Sequence, residues 1–207
     1  MCGNRVVLLV LIVLDLVLVV VPVAQYPAVL RPPHAGLLIL EPVAFLLIYA
    51  VLVFAVSVNE AVVRNATRWG LLSGVLSGAQ ILQETYLHSS FRTTLTWVFV
   101  LGMFLPWLIT GYQTRSTLAG VWSAILSALV TITVGWSELL WDLQGAVARN
   151  IGSPDLVRSG WTDLHAFAIV DLFQAGFKYV LVGPIIGAVL GGIGAVTRRA
   201  IRREQQA

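Results

Sequence analysis

Three side chains late in the sequence share a helical face and together can bind a polar solute. Asp171, Gln174 and Lys178 stand at i, i+3 and i+7, and residues so spaced stack on one side of a helix. They present an acid, an amide and an amine within an otherwise apolar run. A second trio, Gln80, Gln83 and Glu84, shares a face of an earlier segment. Asp171 and Lys178 lie about 10 Å apart along a helix axis at 1.5 Å per residue, too far for a tight pair on an unbroken helix. Lys178 therefore needs an acid from another segment, and Glu84 is the candidate at similar depth. The most deeply placed acid is Asp15, midway along the first apolar run. A charge at the centre of a bilayer costs about 2.5–3.5 kcal/mol on insertion scales, so such residues face a partner, a cavity or water. The chemistry expected is substrate binding by Glu84, Gln80, Gln83, Asp171, Gln174, Lys178 and Asp15. The alternative is a polar knot that ties helices together, with Asp15 a protonated acid bonded to a neighbour.

Catalysis finds no support in the sequence. It contains no GxSxG elbow, HExxH pair, phosphate loop or GxGxxG fingerprint, so no enzyme activity, catalytic residue or cofactor is expected. His88 and His165 fall towards one side of the membrane without HxxxH or HxxE spacing, and no metal site is expected. A single cysteine, Cys2, excludes an internal disulfide and a CxxC motif. Glu138 and Asp142, placed between Trp136 and Trp141, read as an interfacial helix end.

The elements that must carry these residues are membrane helices. Of 207 residues, 58% are hydrophobic and 11% charged, against about 25% charged in an average soluble domain, and the mean hydropathy is +0.88. The apolar residues come in runs of about 20, the length of helix that crosses a hydrocarbon core about 30 Å thick, and backbone amides in lipid must pair within the segment. The fold class is all-α, a polytopic integral membrane bundle of about six transmembrane helices in a single domain. The spans are placed at about 5–24, 37–58, 69–86, 95–112, 118–140 and 164–196, followed by a basic tail at 198–207. The first run carries Asp15 and lacks a small-x-small cleavage site, so it reads as a retained span and not a signal peptide. Glu41-Pro42 looks like a helix start, because proline is favoured at the first helical position, and Pro106 predicts a kink. The stretch 164–196 is too long for one straight crossing. Its first part is expected to lie flat or to break, with the firm span from about Ala175.

Charge sets the orientation. With six spans both termini share a side. Arg5, Arg64, Arg68, Arg115, Arg198, Arg199, Arg202 and Arg203 then lie together, against Arg31, Arg92, Arg149 and Arg158 opposite. The positive-inside rule puts the larger group in the cytoplasm. Basic residues confined to segment ends are topology signals, so nucleic acid is not an expected partner. The partners expected are the lipid bilayer and a small-molecule ligand or other membrane subunits. Arginine in place of lysine suggests a bacterial inner membrane.

Two glycine stripes mark packing faces. Gly70, Gly74 and Gly78 in the third span, and Gly183, Gly187 and Gly191 in the sixth, are each spaced by four. Such rows let backbones approach closely where lipid removes the hydrophobic drive. Both stripes fall in the cytoplasmic half of antiparallel spans and are expected to pack on each other; the alternative is a homodimer contact.

In size and span count the layout resembles the substrate-capturing subunits of energy-coupling-factor vitamin transporters, without a signature motif of that family. The functional expectation is a small-solute transporter or the membrane subunit of one. The alternative is a non-catalytic scaffold acting through its helix faces, with the basic tail on anionic lipid.

Overall fold

The computed structural model describes residues 3–55, 59–86 and 92–205, with the side chains of residues 3, 4, 54, 84 and 92–95 outside the description. Among these residues the chain is helical and contains no strand. The long helices are α1 (Gly3–Gln25), α2 (Ala35–Ala55), α3 (Glu60–Tyr86), α4 (Arg92–Thr114) and α5 (Thr117–Trp141). Two short helices follow, α6 (Leu143–Asn150) and α7 (Pro154–Ser159), before α8 (Leu164–Glu204). Among the described residues four helices are long and apolar enough to cross a membrane: α1, α2, α5 and α8.

Three boundary expectations are revised. Pro42 lies inside α2, which begins at Ala35. Neighbouring helices tolerate such prolines by satisfying the freed carbonyls elsewhere. The stretch 141–163 is not one loop: Asp142 ends α5 and caps α6, accepting the Gly145 amide at 3.1 Å, and Ser153 caps α7 by accepting the Leu156 amide at 3.2 Å. Finally, α8 runs unbroken for 41 residues, about 60 Å at 1.5 Å per residue. Asp163 caps its first turn by accepting the Ala166 amide at 3.1 Å. That turn packs on α6 and on the 3₁₀ turn Pro27–Leu30, so protein contacts hold the extra length that a bilayer alone would not.

The hub of the bundle is α5, which packs on α1, α3, α4, α6 and α8. It presents two faces of small residues. Gly120, Ala124 and Ala128 turn towards α8, while Ser123 and Ser127 turn towards α3. The glycine stripes therefore do not meet each other as expected; each packs on α5. A methyl group added at Gly70 would stand 2.6 Å from the Ser123 carbonyl, and one at Gly74 2.6 Å from Val130 Cβ. On the other side Gly187 lies against Ala124 and Gly120, and a methyl at Gly191 would stand 2.8 Å from Gly120 Cα. The physical reason differs on the two sides: against α8 the α5 partners are themselves small, Gly120 and Ala124, whereas the α3 glycines make room for Leu126, Val130 and Val134 of α5. Helices α3 and α8 end at opposite corners of a four-helix arrangement completed by α4 and α5. Hydroxyls reinforce it: Ser73 Oγ donates to Met103 O at 2.8 Å and lies 2.8 Å from Ser127 Oγ, tying α3 to α4 and α5.

The hairpin of α1 and α2 covers the outer flank of α5 and α8. Arg5 Nη1 donates to Val53 O at 3.0 Å, so the start of α1 and the end of α2 share an end of the molecule. The same end holds Arg115 and the C-terminus of α8, where Arg198 reaches the last turn of α4. We call this the arginine end. The opposite, loop end holds residues 26–34 and 142–163.

Candidate functional site: a cavity at the loop end

Two irregular segments build a cavity at the loop end. The first leaves α1 at Tyr26, makes the 3₁₀ turn Pro27–Leu30 and reaches α2 through Pro32, Pro33 and His34. Prolines cannot continue a hydrogen-bonded ladder, and His34 turns the chain into α2 with φ at 71°, a left-handed conformation uncommon outside glycine. The second segment leaves α7 through Gly160, whose φ of 67° is the usual left-handed helix ending. It continues through Trp161 and Thr162 to Asp163.

Asp163 joins the two walls. While capping α8 it also accepts the Tyr26 hydroxyl at 2.8 Å, and the Tyr26 ring stacks near His165 at 5.6 Å between centroids. Burial pushes the Asp163 carboxyl up, but the amides of Ala166 and His165, the Tyr26 hydroxyl and the His165 ring pull it below the ordinary carboxylate range. The hydrogen bond to Asp163 in turn raises the Tyr26 phenol. Between the walls lies about 640 Å³ of space lined by Arg31, His34, Ser159, Trp161, Thr162 and Asp163 among others. The side chains of Arg31 and His34 form no hydrogen bond or ion pair among the described residues. The cavity thus holds an unspent cation, an imidazole, two hydroxyls and an aromatic wall, with its one acid already bonded. That set suits an anionic or zwitterionic small molecule, and the volume lies within the range of about 300–1,000 Å³ usual for ligand sites.

Of the seven expected site residues, Gln174, Asp15 and Lys178 have different surroundings. Gln174 turns to α2, where its Nε2 donates to Leu38 O at 2.6 Å and Glu41 Oε2 at 3.2 Å. Asp15 is fully buried against α5, 2.6 Å from Thr133 Oγ1. Lys178 lines a different space, an apolar groove of about 400 Å³ between α4 and α8 bounded by Phe104, Trp107 and Tyr179. Gln83 is buried and Gln80 half-buried on α3, and Asp171 is half-buried on α8. The side chain of Glu84 and the whole of His88 lie outside the described residues. The position expected for the polar pocket is a cavity of about 160 Å³ lined by Ile81, Thr131, Ile132, Trp136, Leu172 and Tyr179, none of the seven. Trp136 explains the difference. It is fully buried, donates from Nε1 to Leu172 O at 3.0 Å and meets Phe173 edge-on at 5.4 Å. Gly176 makes room for its indole. A large aromatic from the hub fills the gap that a polar pocket between α3 and α8 would need.

Asp15 sits in an arrangement that a proton count resolves. Thr133 Oγ1 lies within reach of both Asp15 Oδ1, at 2.6 Å, and Leu129 O, at 2.8 Å. One hydroxyl proton cannot serve two acceptors fully. The geometry closes when Asp15 is a neutral acid donating to Thr133, which donates onward to Leu129.

Glu138 and Asp142 take part in a closed network. Arg149 of α6 forms ion pairs with buried Glu138 and, at 3.7 Å, with Asp142. The Tyr86 hydroxyl donates to Asp142 Oδ2 at 2.7 Å, and the Arg149 guanidinium lies 5.9 Å from the Tyr86 ring centroid. Each strong group is spent on another, so the cluster pins α6 to α3 and α5. Sequence reasoning missed Arg31 and Glu41. Arg31 was visible as a cation between prolines, and Glu41 as an acid inside an apolar run.

No family model matches the chain, and neither curated proteins nor solved structures yield a match to it.

Proposed function

We propose that this chain is a six-span inner-membrane protein of bacterial type that captures a small anionic or zwitterionic solute at its outer face, as the membrane subunit of a transporter. The observation that carries the reading is the loop-end cavity of about 640 Å³, lined by the exposed side chains of Arg31 and His34, which form no hydrogen bond or ion pair among the described residues. Arg31 and His34 are exposed at the cavity, where an anionic solute would meet a cation and an imidazole beside hydroxyls and an aromatic wall. Six crossings are supported by the lengths of α3 and α4, 27 and 23 residues, each more than the roughly 20 that a bilayer requires. The arginine end carries eight of the twelve arginines, which supports a cytoplasmic location for it and for both termini.

The test is thermal stability in mild detergent across a panel of carboxylated vitamins, nucleotides, amino acids and neutral sugars, with Arg31→Gln and His34→Ala alongside. A ligand that raises the wild-type melting temperature and not that of either variant supports capture. No shift with any ligand would sink it. A second reading, a non-catalytic scaffold, is favoured by one specific observation: Gln174 bonds Glu41, Asp15 bonds Thr133 and Ser73 bonds Ser127 across helices within the bundle.

A further inference from the structure

The arginine end gathers five guanidinium groups around one small space. Arg115, from the two-residue turn between α4 and α5, and Arg198, Arg199, Arg202 and Arg203, from the last turns of α8, line a cavity of about 180 Å³. No acid lines it. Like charges at i and i+4, as in Arg198 with Arg202 and Arg199 with Arg203, repel weakly on a helix, a repulsion that a bound anion would relieve.

Two of the five are held in place. Arg198 Nη1 donates to Gln113 O at 2.8 Å and Tyr112 O at 3.1 Å, and its guanidinium lies 5.4 Å from the Tyr112 ring centroid. Arg199 Nη2 donates to Arg115 O at 3.2 Å. These bonds cap the free carbonyls at the end of α4, a normal role for a cation at a helix C-terminus. They use few of the five N–H groups that each guanidinium carries, and the exposed side chains of Arg115, Arg202 and Arg203 form no hydrogen bond or ion pair among the described residues. Arg115 moreover adopts φ at 57°, an uncommon conformation for a residue with a side chain; it adds its own charge to the four of α8. Planar guanidiniums bind phosphate oxygens in pairs, and a site held by helix-end carbonyls presents them in a fixed arrangement.

We infer that this cavity is a phosphate-binding site that takes the headgroup of an anionic phospholipid, with a phosphomonoester preferred. The lipid source follows from position: four of the five arginines lie at the end of a helix that leaves the membrane here, and Arg115 lies in the tight turn beside it. Free di- or polyphosphate offers the same chemistry and is the alternative source.

The experiment uses the full chain. Native mass spectrometry from detergent reads retention of phosphatidic acid against phosphatidylcholine, and a parallel titration uses pyrophosphate. Wild type should retain phosphatidic acid, less so as salt rises. The variant R115Q/R202Q/R203Q, which removes the three arginines whose side chains form no hydrogen bond or ion pair among the described residues, should bind on the order of 100-fold more weakly, taking about fivefold per cation near a charged surface. Its melting temperature without lipid should match wild type; R202Q/R203Q alone gives the same direction if the triple variant does not fold. Arg198→Lys keeps the charge and should retain most binding. Pyrophosphate binding without lipid retention upholds the phosphate site and overturns the lipid source. Equal retention of both lipids, or unchanged retention by the triple variant, overturns the site.

Discussion

The two halves of α5 are opposite kinds of helix. Towards the arginine end its faces to α3 and α8 carry small residues: Gly120, Ser123, Ala124, Ser127 and Ala128 let those backbones come close, while Trp122, Ile125 and Leu126 fill the core. Towards the loop end the large aromatic Trp136 takes the place of such small residues and packs on α8. Polar groups follow the same division. In the narrow half they are single hydroxyls that bond across helices, whereas the wide half carries an ion-pair network and, above it, an open cavity. Lipid supplies no hydrophobic drive between helices, so close backbone packing has to provide the stability. The loop end, built from irregular segments and short helices, holds the cavity of about 640 Å³, whereas the space among the arginines at the other end is about 180 Å³.

Substitution of Gly191 is the strongest test of this contrast. Its backbone touches Gly111 of α4 and Gly120 of α5, so Gly191→Leu should destabilise the bundle by about 3 kcal/mol or more. Gly183→Ala, with its nearest atom at 3.7 Å, should change stability by less than about 0.5 kcal/mol. Thermal unfolding in detergent reads both, and equal effects would mean that the stripe is not graded by closeness to α5. In the wide half, Arg149→Met should lower stability by about 1–3 kcal/mol, because buried Glu138 is left without its partner. Adding Glu138→Gln should recover part of that loss, and a double variant no better than the single would argue against the pair.

Smaller effects sharpen the comparison. Asp15→Asn should fold within about 1 kcal/mol of wild type, since an amide reproduces a neutral acid donating to Thr133; a collapse of the variant would show that the carboxylate is ionised. The smallest effect is on pH. The Asp163 carboxyl is held below its ordinary value in the folded protein, so its contribution is present above the ordinary carboxylate range and is lost as pH falls through the lowered value. Melting temperature should therefore decline over that window in wild type and less in Asp163→Asn. A parallel decline in both would assign the effect to other carboxylates.

Membrane character, helix content and the positions of the apolar runs were legible in composition and run length, because the bilayer imposes them on each segment separately. The glycine rows were legible as packing faces for the same reason: spacing by four is a property of one helix. Their partners were not. Whether Gly187 meets Gly74 or Gly120 depends on which third helix enters between them, and the small residues of α5 are inconspicuous in sequence beside two glycine triplets. The polar residues show the same limit. Asp171, Gln174 and Lys178 share a face of α8, as their spacing requires, but Glu41 and the Leu38 carbonyl take up Gln174 while Trp136 occupies the space between α3 and α8. Local periodicity determines what each helix presents, and only tertiary packing decides what that face meets, because shape complementarity belongs to pairs of helices and to no single one.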